Sequence, residues 1–249
     1  MSIAMLAADY AGGNQVISNF TTSEAFLLII VIAVAGYIVQ ARLQSVFAKY
    51  SKVALPDGMT GAEIAERMLR ENNIHNVRVT HVAGHLTDHF NPQTMTVNLS
   101  DSVYSGRSVS AAAVACHECG HAVQHAQGYA PLAMRSALVP VVSFSSRAAI
   151  WVIMLGLIMT ASSSSDIICW IGIGMIAMSA LFSIITLPVE YNASERALEW
   201  LERSRTLSGA QLDGAKVALR WAARTYLVAA LSAIASVLYY VALVSNRRR

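Results

Sequence analysis

The chain has 249 residues, of which 55% are hydrophobic and only 13% charged, and its mean hydropathy of +0.48 is too apolar for an ordinary soluble domain. The formal net charge of +3 comes without a long Lys/Arg block interleaved with aromatic residues, so nucleic acid is not an expected partner. The three cysteines are too few for a disulfide framework, which favours a reducing compartment. We therefore expect a membrane protein.

Four apolar stretches approach the roughly 20 residues that a bilayer-spanning helix needs. They are Ala25–Ala41, Ala148–Ala161, Ile167–Leu187 and Tyr226–Val244. The second is short and the fourth contains three tyrosines, so these two are weaker candidates. Residues 1–24 contain no Lys or Arg. They are therefore not expected to form a cleavable signal peptide, and the first span is expected to remain as an anchor.

The basic residues predict the orientation of these spans. Nine of the eighteen Lys and Arg lie between Arg42 and Arg147, six lie between Arg196 and Arg224, and the last three are residues 247–249. The positive-inside rule places residues 42–147 and 188–225 in the cytoplasm, and residues 1–24 and 162–166 outside. Four spans would carry the final arginines outside as well. Either the last helix in residues 226–249 does not cross fully, or the rule fails there.

The segment between the first two spans has the pattern of a small α+β domain. Thr60–Glu71 has apolar residues spaced for one buried face of a helix. Alternating residues at 77–81 and 94–99, separated by Asn91 and Pro92, predict two strands of a small sheet. A long helix is expected to begin near Ser108, a suitable N-cap, and to stop at Gly128.

Residues 117–121 of that helix read HExxH. His117 and His121 are about 6 Å apart along a helix axis and about 40° apart around it, so both imidazoles can reach one zinc ion. Glu118 lies to one side, where it can act as general base on a zinc-activated water. The alternative is a surface helix that happens to carry two histidines.

A catalytic zinc needs a third protein ligand, and Glu190 is the main candidate. It follows Pro188, which predicts a kink or a restart of the helix as the third span ends, and it precedes a small Ala-Ser pair that permits close helix packing. Ser194 is placed to hydrogen-bond a ligand histidine. The alternative is that Glu190 merely begins a cytoplasmic helix, where an acidic residue is favoured by the helix dipole. Glu195 and Glu199 are competing carboxylates, although both belong to a charged face.

The sequence resembles the membrane neutral zinc metallopeptidases of the YugP type, distant relatives of the HtpX-type gluzincins. The matching segments are Leu86–Pro92, His117–Gln124, Gly128–Leu132 and Thr186–Ser194. The resemblance implies a zinc cofactor held by His117, His121 and Glu190, and a mainly α membrane protein with about four transmembrane helices plus a cytoplasmic α+β zincin-like domain. The family more often has Phe then Asp where Tyr191 and Asn192 stand.

Other reactive residues have structural interpretations. His125 is about 12 Å along the axis from His117, too far to share a zinc, and is expected to line the cleft or to hydrogen-bond near the site. Cys116 and Cys119 form CxxC but project away from the histidines, so we expect them to be buried packing residues. Asp88 and His89 are expected to belong to a turn that bonds its own backbone.

These patterns favour a multi-pass membrane endopeptidase with its active site facing the cytoplasm. Its protein or peptide substrate is expected to add to the edge of the strand at residues 94–99. An oligomer is compatible with this interpretation. The alternatives are a site-2-type intramembrane protease, for which Asp213-Gly214 is a faint match, and a non-catalytic scaffold stabilised by zinc. A zinc transporter is disfavoured because the spans contain no internal His, Asp or Glu.

Overall fold

The computed structural model describes residues 21–159 and 166–246. Within them the chain forms seven α-helices and three β-strands. In chain order these are α1 (Thr22–Tyr50), α2 (Gly61–Glu71), β1 (Arg78–Val82), β2 (His89–Asn91), β3 (Thr96–Ser100), α3 (Asp101–Tyr104), α4 (Val109–Ala126), α5 (Ala130–Met159), α6 (Ile167–Arg203) and α7 (Gly209–Asn246). The expected fold class, a mainly helical membrane protein with a small α+β part, is confirmed.

The described residues divide into two compact units. One, which we call the apolar unit, comprises residues 21–36, 138–159, 166–184 and 228–246. The other, the sheet unit, comprises residues 37–137 and 185–227. The apolar unit has its own small core, in which Ile153, Cys169, Ile173 and Val244 are buried together. The sheet unit contains the HExxH helix α4 and the segment around Glu190.

Each of the four predicted spans lies on one long helix, apart from residues 160 and 161 of the second, which lie outside the described residues. By length and composition α1, α5, α6 and α7 are all able to cross a membrane. The helices extend well beyond the predicted apolar stretches. In particular, α5 begins at Ala130, so the short second stretch is the end of a 30-residue helix. Residues 1–20, the turn at 162–165 and the arginines at 247–249 lie outside the described residues.

The sheet has a different topology from the predicted pair of strands. Its order is β1-β3-β2, with β1 parallel and β2 antiparallel to β3. The strand β2 was missed because three residues are too few to show an alternating pattern. As a result β3 is the central strand, so the expectation that its edge receives the substrate is wrong. The turn at Asn91 is confirmed, since its side-chain oxygen accepts hydrogen bonds from the backbone of Gln93 and Thr94.

The helices α2 and α4 of the sheet unit begin and end where their sequences predict. Thr60 caps α2 in a capping box with Glu63, in which each side chain bonds the other's backbone N–H. Ser108 caps α4 by accepting a hydrogen bond from the backbone of Ala111. Gly128 follows α4 with a φ of +65°, a left-handed conformation that glycine adopts without steric cost. The HExxH residues are therefore held inside a well-bounded helix.

The core of the sheet unit packs around α4. Its largest buried apolar side chains come from α2, β3, α4, α6, α7 and the loop before α7: Ile64, Met68, Val97, Leu99, Val109, Trp200, Leu201, Leu207 and Leu219. The helix α6 runs through Pro188 without interruption, so of the two predicted alternatives, a kink or a restart, the helix does not restart. Glu190 is thus carried on the same helix that supplies Trp200 to this core.

Candidate metal centre

Three side chains that can ligate a metal meet within the sheet unit. One ligand atom from each of His117, His121 and Glu190 lies within 4.8 Å of the other two. The Nε2 atoms of His117 and His121 are 3.2 Å and 3.6 Å from Oε2 of Glu190. We call these residues the donor cluster. All three are largely buried, and the Glu190 carboxylate is only 1% exposed.

Gly120 permits this meeting of two helices. A Cβ atom built on Gly120 of α4 falls 2.5 Å from the carbonyl oxygen of Ala193 on α6, closer than such atoms approach in proteins. Ala193 itself is fully buried. The motif's two histidines flank Gly120 in α4, and Glu190 precedes Ala193 by three residues in α6. Close backbone packing at this point brings the carboxylate within reach of both imidazoles.

We expect Gly120→Ala to destabilise the protein and to weaken its metal binding together. The added methyl group must push α4 and α6 apart, and overpacking of this kind costs roughly 1–3 kcal/mol. Thermal unfolding and zinc titration of the purified variant measure the two effects. Gly174→Ala is the matched control, because a Cβ there meets no other atom within 4 Å. Equal stability and zinc affinity of the two variants would contradict the packing argument.

The outer nitrogens of the two imidazoles are held by hydrogen-bond partners. Oγ of Ser194 is 3.1 Å from Nδ1 of His117, the contact predicted from the sequence. Oε1 of Gln124 is 3.0 Å from Nδ1 of His121. Because a side-chain amide oxygen only accepts, Nδ1 of His121 must carry a proton. The lone pair of the neutral ring is then on Nε2, the atom that faces Glu190.

The orientation of Gln124 is itself fixed by a buried network. Its amide nitrogen donates to the carbonyl oxygen of Val189 at 2.8 Å and to Oδ1 of Asn192 at 3.0 Å. Oδ1 of Asn192 also accepts a hydrogen bond from Nε of Arg196 at 2.7 Å. Two acceptors therefore hold the amide nitrogen away from His121. This gives Asn192 a defined structural role.

Arg135 holds the remaining oxygen of Glu190. Its Nη1 lies 3.0 Å from Oε1, while Oε2 faces the histidines. An arginine hydrogen-bonded to one carboxylate oxygen fixes the plane of the carboxylate and balances its charge. The buried carboxylate therefore presents a single oxygen to the space between the two imidazoles.

The electrostatic environment of His121 favours a positive charge at this place. Burial by itself lowers the pKa of His121, but the hydrogen bond to Glu190 and the negative charges of Glu118 and Glu190 outweigh burial and raise it. A cation bound among these side chains would take the place of that proton.

Glu118 lies beside the donor cluster and contacts the sheet. Its side chain is 8% exposed, and its Oε2 accepts a hydrogen bond from the backbone N–H of Phe90 at 3.1 Å. Since that N–H points to Glu118, it does not pair with Val97 on β3, its partner in the register. The outer edge of β2 therefore faces the carboxylate.

The competing residues lie outside the donor cluster. Glu195 and Glu199 are exposed on α6. His125 is also exposed, and the centroid of its ring lies 5.7 Å from the centroid of the Phe90 ring. Cys116 and Cys119 are fully buried, as expected, and burial raises the pKa of both thiols. They are packing residues and not additional metal ligands.

The turn residues Asp88 and His89 have separate structural partners. Asp88 accepts hydrogen bonds from the backbone N–H and the hydroxyl of Ser100, at 2.7 Å and 2.9 Å. Nδ1 of His89 contacts the carbonyl oxygen of Thr87, so only His89 bonds the turn's own backbone as predicted. Asp88 instead joins its loop to the end of β3.

The chemistry of the donor cluster suits zinc. Two imidazole nitrogens and one carboxylate oxygen are the protein ligands of one common type of catalytic zinc site, which keeps a fourth position open. The three ligand residues are buried, and hydrogen bonds hold the two Nδ1 atoms and the second oxygen of Glu190, as metal sites usually require. The residues present therefore fit the ion that the HExxH motif predicts.

Comparison with known proteins agrees with this chemistry. Residues 25–245 match the family described as "Putative neutral zinc metallopeptidase". The chain belongs to this family. It is also 41% identical over 211 residues to the "Putative membrane protease YugP" of Bacillus subtilis (strain 168), an alignment that covers 84% of this chain and 91% of the relative. No solved structure matches the chain significantly.

Membership of this zinc metallopeptidase family confirms the resemblance seen in the sequence, and the relative's name agrees with a membrane location. Residues of the site that sequence reasoning missed include Phe90, Gln124, Arg135 and Tyr226, whose side chain lies near Glu190 and Glu118. Gln124 had a detectable signal, because it lies three positions after His121 on the same helix. Phe90 acts through its backbone, and Arg135 lies outside the HExxH motif, so neither residue had a signal in the sequence.

Proposed function

We propose that this family member is a membrane-anchored, zinc-dependent endopeptidase with His117, His121 and Glu190 as the metal ligands. The observation that carries the proposal is the convergence of their three ligand atoms within 4.8 Å, directly beside the carboxylate of Glu118. A zinc ion held by these three residues would supply a Lewis acid for the substrate carbonyl and would lower the pKa of water to about 7. Proteolysis by the purified protein and its loss in Glu118→Gln test the proposal.

Glu118 acts as the general base in this proposal. It takes a proton from the attacking water and delivers it to the nitrogen of the leaving amine. The Phe90 N–H fixes one oxygen of the carboxylate, so the carboxylate is oriented before substrate binds. Arg135 and the hydrogen bonds to the two Nδ1 atoms keep the donor cluster in place. The side chains of Glu118, His121 and Glu190 are buried, which limits their motion and lowers the reorganisation that the reaction requires.

An extended substrate is expected to lie along β2 rather than β3. In the described sheet β2 is an edge strand, and its outer edge at Phe90 adjoins Glu118. The outward N–H of Phe90 is already donated to Glu118, so the Phe90 carbonyl oxygen is the outward backbone group of β2 that remains for a peptide. A peptide lying along this edge brings a carbonyl group next to the catalytic side chains without any requirement on sequence. The strand predicted for this role, β3, is paired on both sides and has no edge to offer.

The site-2-type alternative receives no support from its own marker residues. Asp213 is exposed on α7 and is not part of the donor cluster. Gly214 packs against the ring of Tyr50. A Cβ atom at this position would lie 2.3 Å from a ring carbon, so packing accounts for the glycine.

We place the active site on the cytoplasmic side, on the basis of the positive-inside rule. Cysteines introduced at Lys52 and Arg203, both exposed, are expected to escape a membrane-impermeant maleimide added outside intact cells and to react after permeabilisation. Ser163→Cys is expected to react from outside. The three native cysteines are buried, so they contribute little background. The reverse labelling pattern would place the active site outside.

A further inference from the structure

A cavity of about 220 Å³ opens beside the proposed catalytic residues. His117 and Glu118 form part of its wall. Much of the rest is apolar and includes Leu43 and Phe47 of α1, Val114 of α4 and Leu86 of the loop before β2. The cavity lies entirely within the sheet unit. A peptide whose scissile bond is next to Glu118 must therefore place a neighbouring side chain close to this space.

The cavity wall offers no free charge apart from Glu118. The other acidic wall residue, Asp88, has one oxygen occupied by the N–H and the other by the hydroxyl of Ser100. No Lys or Arg belongs to the wall. Gln40, Thr225 and Tyr226 of the wall can donate hydrogen bonds but carry no positive charge, so a carboxylate placed there would be repelled by Glu118 without a cationic partner. An ammonium group would pair only with the base that the reaction uses. An apolar side chain gains from leaving water in the same space.

The loop beside the cavity has a strained backbone at Leu86. The φ of this residue, 59°, is in the left-handed region, which a leucine rarely adopts, and its side chain is 50% exposed. The loop is held in this form by Gly84 with a φ of +116° and by the Asp88 to Ser100 hydrogen bonds. A strained backbone that displays an apolar side chain next to catalytic groups is typical of a ligand-binding position.

From these observations we propose that the cavity is the specificity subsite of the peptidase and binds a bulky apolar side chain adjacent to the scissile bond. The inference rests on the proposed proteolytic function and adds the substrate class to it. Cleavage is then favoured next to Leu, Ile, Met or Phe. Leu86 and Val114 are the specificity-determining residues, and they act by contact with that side chain.

The first experiment measures binding without turnover. Two hydroxamates that differ only in carrying an isobutyl group or a hydrogen are titrated calorimetrically into the zinc-loaded, full-length protein. We expect the isobutyl compound to bind at least about 10-fold more tightly, as is usual for filling an apolar pocket. Val114→Phe fills the cavity and should abolish this preference. Val217→Phe, an equally large change at an exposed position of α7 outside the cavity wall, should retain it.

The second experiment measures cleavage of a mixed peptide library by mass spectrometry. Wild-type protein should cut beside bulky apolar residues, and Val114→Phe should shift the cuts toward Gly, Ala and Ser. Leu86→Gly keeps the left-handed backbone and removes the exposed side chain, so it should fold and should lose roughly 10-fold or more of the preference. It therefore gives an independent readout if Val114→Phe does not fold.

The outcomes separate the subsite from the proposed function. One outcome is that the protein cleaves peptides in a Glu118-dependent way but shows no apolar preference, or prefers Lys or Arg. This result overturns the proposed subsite and supports the proposed peptidase function. An isobutyl preference that Val114→Phe abolishes, in a protein that cuts no peptide, supports the subsite and overturns the peptidase. Equal binding of the two hydroxamates overturns the subsite whether or not the protein is active.

Discussion

Replacement of Glu118 by glutamine is expected to leave zinc bound and to lower the rate of peptide hydrolysis by roughly 10²- to 10⁴-fold, the usual contribution of a general base. Glutamine has nearly the same shape and can still accept the hydrogen bond from Phe90 N–H, but it cannot take a proton from water. Hydrolysis of an unfolded protein substrate, with zinc content measured on the same preparation, checks both parts.

Glu195→Gln is the matched control for this experiment, because it removes an equal charge from an exposed position on α6. It should retain full activity. A Glu118→Gln protein that is as active as wild type would require a different base. If neither protein cleaves any substrate while both bind zinc, the non-catalytic scaffold becomes the better interpretation.

Alanine at His117, His121 or Glu190 is expected to reduce bound zinc from about one ion per chain to nearly none. Each substitution removes one of three protein ligands, and two remaining ligands do not hold zinc firmly in competition with water. Activity should disappear with the metal. Inductively coupled plasma mass spectrometry of the purified variants measures the zinc, and circular dichroism checks that the helices are intact.

Variants of the competing carboxylates serve as controls for this prediction, and a variant of an outer hydrogen bond should show a smaller loss of zinc affinity. Glu195→Ala and Glu199→Ala should keep both zinc and activity, because both side chains are exposed and outside the donor cluster. Ser194→Ala removes the partner of His117 Nδ1 and should cost roughly 10- to 100-fold in zinc affinity. Zinc retained by Glu190→Ala but lost from Glu195→Ala or Glu199→Ala would show that the third ligand is misassigned.

Several features of this protein follow from local sequence. The apolar stretches are long enough to identify four candidate spans, since a bilayer sets the length of a crossing helix. Ser108 and Gly128 bound the HExxH helix because capping and left-handed termination are local properties of the chain. The spacing of His117 and His121 places both on one face of any helix, whatever surrounds it.

The sheet was less predictable for a physical reason. Each strand satisfies its backbone hydrogen bonds with a partner elsewhere in the chain, so pairing depends on contacts that a local pattern does not contain. The alternation at residues 94–99 indicated a strand correctly. Only the fold showed that β2 lies between this strand and Glu118, and that the edge open to a peptide is therefore at Phe90.

By itself, the sequence determined the helical spans, the HExxH helix and, through the family resemblance, Glu190 as the expected partner of the two histidines. The tertiary structure decided which groups orient them. Arg135 is 55 residues from Glu190, and Gln124 is 65 residues from Val189. Such contacts depend on how closely α4 and α6 approach, which the missing side chain of Gly120 permits. Packing of this kind is a property of two helices together and is not encoded in either helix alone.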